Sequence, residues 1–115
     1  MTTGTEKVIL WVETLSWITL PIGHEFPQGV TLKRELPIEV RVRKNAAHRY
    51  EGVLATTAHP VEYGWGETQE EALADLKSSL VELWQVLEAR QYNLGGNALA
   101  DFLDLRRLFR DTASA

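Results

Sequence analysis

The chain has 115 residues, 44% hydrophobic and 24% charged. That is enough for one two-layer core and too short for a second full module. A formal net charge of −4 argues against the whole molecule binding nucleic acid and suits a basic partner. The absence of cysteine excludes disulfides, thiolate chemistry and cysteine metal sites, and fits a cytoplasmic location.

Residues 1–30 read as an N-terminal extension. Val8, Trp11, Val12, Leu15 and Ile18 recur at helical spacing, whereas the β-branched and aromatic content favours a strand. The sequence leaves both open. The apolar run from Val8 to Ile22 is broken by Glu13 and ends near Pro21, too short and too polar for a membrane span. It has neither the basic start nor the small-residue cleavage site of a signal peptide. Pro21, Gly23, Pro27 and Gly29 then mark a loop.

From Leu36 the pattern sharpens. Ile38, Val40 and Val42 alternate with Glu39, Arg41 and Arg43, the period of a half-buried antiparallel strand. Lys44 to His48 is a polar turn, and Tyr50 to Thr57 is a second strand completing a hairpin. Val61 to Trp65 follows Pro60 as a short third strand.

Gly64 and Gly66 are expected to allow a tight reversal into a helix. Thr68 and Glu71 have the spacing of a capping box, and Glu67, Glu70 and Glu71 complement the helix dipole. The helix runs from about Thr68 to Gln91, with Leu73, Leu76, Leu80, Leu83 and Leu87 on one face. Such a helix is roughly 35 Å long, while a five-residue strand covers about 17 Å. Its C-terminal half therefore overhangs the sheet. Leu83, Trp84 and Leu87 need a partner there, either the rest of the chain or a second copy in a homodimer.

Asn93-Leu94-Gly95-Gly96 stops the helix, and Asn97 is positioned to cap another from Ala98 to Arg110. Leu99, Phe102, Leu103 and Phe109 fall on one side of it. The fold class is α+β: a small three-stranded antiparallel sheet, one long helix on one face and a short C-terminal helix. Residues 31–92 form the domain and 93–115 the last helix and tail.

Residues 33–49 hold six basic and two acidic side chains. Arg41 and Arg43, beside Tyr50, could meet phosphates or an acidic surface. The plainer alternative is a solvated strand face whose charges discourage edge pairing, and the balance favours it. His24, His48 and His59 lack metal-ligand spacing. Glu51 and Glu62 could sit across adjacent strands, but salt bridging is their default role. Gly64-Trp65-Gly66 has no following lysine and is no nucleotide cradle. No serine sits in a nucleophile elbow. Neither cofactor nor metal is implied, and an enzyme has the weakest support. Of the four tryptophans, Trp11 is assigned to the core, Trp65 and Trp84 to a subunit or partner interface.

Ile38-Glu39-Val40, Tyr50-Glu51-Gly52-Val53 and Gly66-Glu67-Thr68 with Glu70-Glu71-Ala72, continued by Leu73, Asp75-Leu76 and Leu80, resemble the HicB-like antitoxin family. The resemblance covers about residues 31–90. It implies a partial ribonuclease-H-like layer without that fold's catalytic acids. It also implies a non-catalytic, protein-binding role: covering a small basic RNA-cleaving toxin by steric occlusion. The contact residues would be Arg41, Arg43, Tyr50, His59 and Trp65. Many members add a DNA-binding domain, but Tyr92 to Ala115 has room for one helix only, so direct DNA binding is not expected. The family's Pro- and Gly-containing loop is replaced here by Thr57-Ala58-His59-Pro60-Val61-Glu62. The alternative to a toxin partner is single-stranded nucleic acid on the basic strand face.

Overall fold

The structure, a computed structural model, describes residues 11–45 and 50–110. The side chains of Trp11, Val12, Lys44, Asn45, Tyr50 and Glu51 lie outside the described set. Four strands, β1 (Trp11–Leu20), β2 (Leu36–Asn45), β3 (Tyr50–Ala58) and β4 (Val61–Gly66), form one antiparallel sheet in the order β1-β2-β3-β4. Two helices follow, α1 (Gln69–Ala89) and α2 (Gly96–Phe109). The fold is α+β with four strands rather than three.

The additional strand is β1, from the segment whose helical spacing competed with its β-branched content. Pairing decides the competition. Ile18 sits opposite Ile38 and Leu20 opposite Leu36, so the apolar residues of β1 extend a row that β2 already sends into the core. A helix would have given up that ladder.

Alternation divides the sheet cleanly. Leu36, Ile38 and Val40 of β2 and Val53 and Ala55 of β3 point into the core. Against them lie Ala72, Leu76, Leu80 and Val81 of α1. The helix approaches β4 most closely where Gly64 and Gly66 stand. A Cβ on Gly64 would lie 2.1 Å from the Ala72 carbonyl oxygen and 2.3 Å from the Leu76 nitrogen. On Gly66 it would lie 2.7 Å from the Ala72 nitrogen. Neither glycine has positive φ, so these residues serve close helix–strand approach and not the chain reversal expected of them.

Thr68 caps α1 as its spacing predicts: its hydroxyl accepts from the Glu71 amide at 3.2 Å. Glu71 Oε1 in turn accepts from the amides of Thr68 at 3.1 Å and Glu67 at 3.2 Å. The cap of α2 is Gly95 without a side-chain bond, instead of the expected Asn97.

α2 closes the overhang of α1. Trp84 and Leu87 are buried, and Leu83 packs against the same cluster. The Trp84 indole stacks on Phe102 at 5.5 Å between centroids. These residues are therefore covered within the chain, which corrects their assignment to a subunit interface. Leu105 and Leu108 join Phe102 and Phe109 as the buried face of α2, while Leu99 is exposed. The loop after β1 folds under the same end. Phe26 meets Phe109 edge-on at 5.2 Å, and the Lys33 amide donates to the Leu108 carbonyl at 2.7 Å.

Candidate functional site

All helical packing lies on one side of the sheet, and among the described residues nothing covers the other. That open face is built by the register. One transverse row runs Leu15, Arg41, Leu54, Trp65 across the four strands, and the next runs Trp17, Glu39, Thr56, Tyr63. Paired residues share a face, so five large apolar side chains reach solvent together. Trp17 is 61% exposed, Leu15 53%, Val61 57%, Tyr63 54% and Trp65 48%.

Trp65 is held rather than loose. Its ring lies over Gly52, where a Cβ would come within 2.3 Å of Cη2. The missing side chain on β3 makes the slot that the indole fills, beside Leu54, Arg41 and Arg43 around a dimple of about 70 Å³.

The arginines are not a bare basic patch. Arg41 binds Glu39 Oε1 at 2.8 Å and Glu13 Oε1 at 3.3 Å. Arg43 reaches Glu13 Oε2 at 3.0 Å. The Arg41 pKa is raised, first by hydrogen bond and charge from Glu39 and then by Glu13. Two carboxylates against two guanidiniums leave the centre of the face close to neutral. The sequence pointed instead to a basic stripe, because Glu13 comes from β1, which had no assigned place opposite Arg43.

Along β4 the free edge is occupied by carboxylates. The Trp65 amide donates to Asp75 Oδ2 at 2.9 Å, and the Tyr63 amide to Glu62 Oε1 at 3.1 Å. With the Glu67 amide on Glu71, three successive outward N–H groups, those of Tyr63, Trp65 and Glu67, have acidic side-chain acceptors. Glu62, Glu67, Glu70, Glu71 and Asp75 thus make an acidic rim beside Tyr63 and Trp65.

His59 lies apart from this face. The two-residue turn His59–Pro60, whose peptide is cis, joins Ala58 to Val61. Thr57 Oγ1 donates to the Pro60 carbonyl at 2.7 Å beneath it. His59 borders a cleft of about 210 Å³ with Arg34, Glu35, Asp104 and Arg107, smaller than the roughly 300 Å³ at which ligand pockets begin.

The structure therefore brings Arg41, Arg43 and Trp65 together and separates His59 from them. The Tyr50 side chain, Trp11 and Glu51 side chains, and residues His48 and Arg49 lie outside what is described. Glu51 is in register with Lys44, and Glu62 with Thr57, so the two glutamates are not cross-strand neighbours. Trp17, Leu15 and Tyr63 are the site residues that sequence reasoning missed. For Tyr63 the signal was present, since it shares the alternation of Val61 and Trp65. Among the described residues, no cluster of three His, Asp or Glu side chains is placed to hold a metal, and no helix is long and apolar enough to cross a membrane. No protein-family model, curated protein or solved structure matches the chain.

Proposed function

We propose that the chain is a non-catalytic protein-binding module of HicB-like antitoxin type, which occludes a small basic protein with its open sheet face. The observation that carries this is the uncovered set Trp17, Tyr63 and Trp65 on paired strands, flanked by an acidic rim. Aromatic side chains with arginine make up the anchors of protein interfaces, and a rim of carboxylates favours a cationic surface. The Glu13 and Glu39 bridges disfavour the alternative of single-stranded nucleic acid, because phosphates would have to displace carboxylates from both arginines. The toxin-like partner, cytoplasmic action and homodimeric state belong to this proposal.

The test is co-expression with the product of any adjacent small reading frame encoding a basic protein. The complex should co-purify, and Tyr63→Ser/Trp65→Ser should weaken it about 30-fold, the 2 kcal/mol of an interface anchor. A 12-nucleotide oligo(U) titrated at low salt is the competing probe. Binding of that oligonucleotide with loss in Arg41→Glu/Arg43→Glu would replace the protein partner with RNA. A complex indifferent to the double serine variant would remove the open face from the account.

A further inference from the structure

We propose that β1 pairs antiparallel with β1 of a second copy, joining two four-stranded sheets into one eight-stranded sheet about a two-fold axis. This goes beyond the occupant of the open face, since it uses the sheet's edge.

The hydrogen-bond phase of the sheet shows what that edge offers. The Trp65 amide turns away from β3, because Asp75 takes it. Leu54 and Trp65 are thus a non-bonded pair, and Leu54 turns its own N–H and C=O toward β2. Arg41, opposite Leu54, bonds to β3 and so turns away from β1. It follows that Leu15, opposite Arg41, directs its backbone groups outward, as do Glu13, Trp17 and Thr19 at the same parity. Among the described residues none pairs with them.

The two edges of the sheet are treated differently. On β4 the outward amides of Tyr63 and Trp65 are already taken by carboxylates, one of the ways a protein keeps an edge from recruiting strands. Among the described residues β1 has no comparable protection: it is ten residues, WVETLSWITL, with one charge and no proline. From Glu13 through Trp17 it is exposed on both faces as well. Of the two edges among the described residues, β1 is therefore the one at which a second copy can add. The contact is isologous and closes at two chains, whereas two open edges would propagate into a filament.

Side chains choose the register. With Ser16 opposite Ser16 of the second copy, Leu15 faces Trp17 across the join in both directions. These are the exposed apolar residues of the strand, and cross-strand aliphatic–aromatic pairs stabilise sheets. Shifting the axis to Leu15 would set Trp17 opposite Glu13, whose carboxylate is engaged by Arg41 and Arg43. The Ser16 register forms about eight backbone hydrogen bonds across the join.

The chain has no cysteine, so one introduced thiol reports on the join. Ser16 pairs are non-bonded, with Cα atoms about 4.5 Å apart, within disulfide reach. Mild oxidation of Ser16→Cys should convert most of the chain to a disulfide dimer, and Thr14→Cys, about 13 Å from its counterpart, should stay unlinked. Sedimentation of the unmodified chain at 100 µM should give a dimer. Leu15→Pro should make it monomeric with its circular dichroism intact, because the lost N–H faces outward, where a strand tolerates proline. Should that variant not fold, the cysteine pair decides. A monomeric mass, or crosslinking at Thr14 equal to that at Ser16, overturns the proposal. Tyr63→Ser/Trp65→Ser lies on the opposite edge and should leave the mass unchanged, which separates this contact from partner binding.

Discussion

The indole of Trp65 fills the space that a side chain on Gly52 would occupy, with Cζ2 2.7 Å from where a Cβ would stand. The obstacle is the end of a side chain, so it can swing out. Gly52→Ala should therefore change stability by less than about 1 kcal/mol, since replacing a strand glycine contributes roughly what the lost ring contact costs. Trp65 should leave the sheet, and acrylamide quenching of tryptophan fluorescence should rise. Unchanged quenching would mean that the ring does not depend on the slot.

At Gly64 the obstacle is backbone, and it cannot swing. Gly64→Ala would drive a methyl group into the Ala72 carbonyl and the Leu76 amide. The helix must lift from β4, and a cost of about 3 kcal/mol is expected in urea unfolding, the upper part of the usual overpacking range. A loss under 1 kcal/mol would show that α1 has slack at this point.

Trp84 should behave as a core residue. Trp84→Ala should cost about 3–5 kcal/mol, because it removes the surface on which Phe102 stacks. Leu87→Asp should likewise lower the melting temperature without changing the mass by light scattering. A lower mass with full stability would restore this end of α1 to a subunit contact.

Thr68→Ala should cost about 1 kcal/mol through loss of the N-cap acceptor, and Thr68→Ser should recover most of it. Thermal melts of the two variants check this. Equal melts would mean that Glu71 supports the helix start alone through the Glu67 and Thr68 amides.

Asp75→Ala should open the protected edge. The Trp65 amide loses its acceptor, at about 1 kcal/mol for one exposed hydrogen bond. The larger consequence is a strand edge able to recruit another, seen as concentration-dependent assembly in light scattering. Asp75→Asn, which keeps an oxygen acceptor, should assemble far less.

Local signals carried most of the domain's elements. The Thr68–Glu71 box, the leucine stripe of α1 and the alternation of Ile38, Val40 and Val42 each specify their element within a few residues. What escaped depends on distant partners. β1 is a strand because Ile38 and Leu36 wait opposite Ile18 and Leu20, and no window of sequence contains both. Glu13 reaches Arg43 only through that pairing, so the neutrality of the open face was hidden with it. The roles of Gly64 and Gly66 were misplaced for the same reason: a glycine needed for approach looks, in sequence, like a glycine needed for a turn. Gly95, capping α2 without any side chain, offered no signal.

The junction of Phe26 with Phe109 has a bearing on biosynthesis. A chain emerging from the ribosome can complete its four-stranded meander and α1 while Trp84 still has no aromatic neighbour. Until Phe102 and Phe109 have been added, that hydrophobic end is bare and Phe26 lacks its ring partner, although its loop already reaches α1 through His24 on Lys77 and Gln28 on Gln85. The last helix thus acts as the latch of the fold, and interrupted synthesis would leave a species that chaperones and proteases could recognise by its unlatched end.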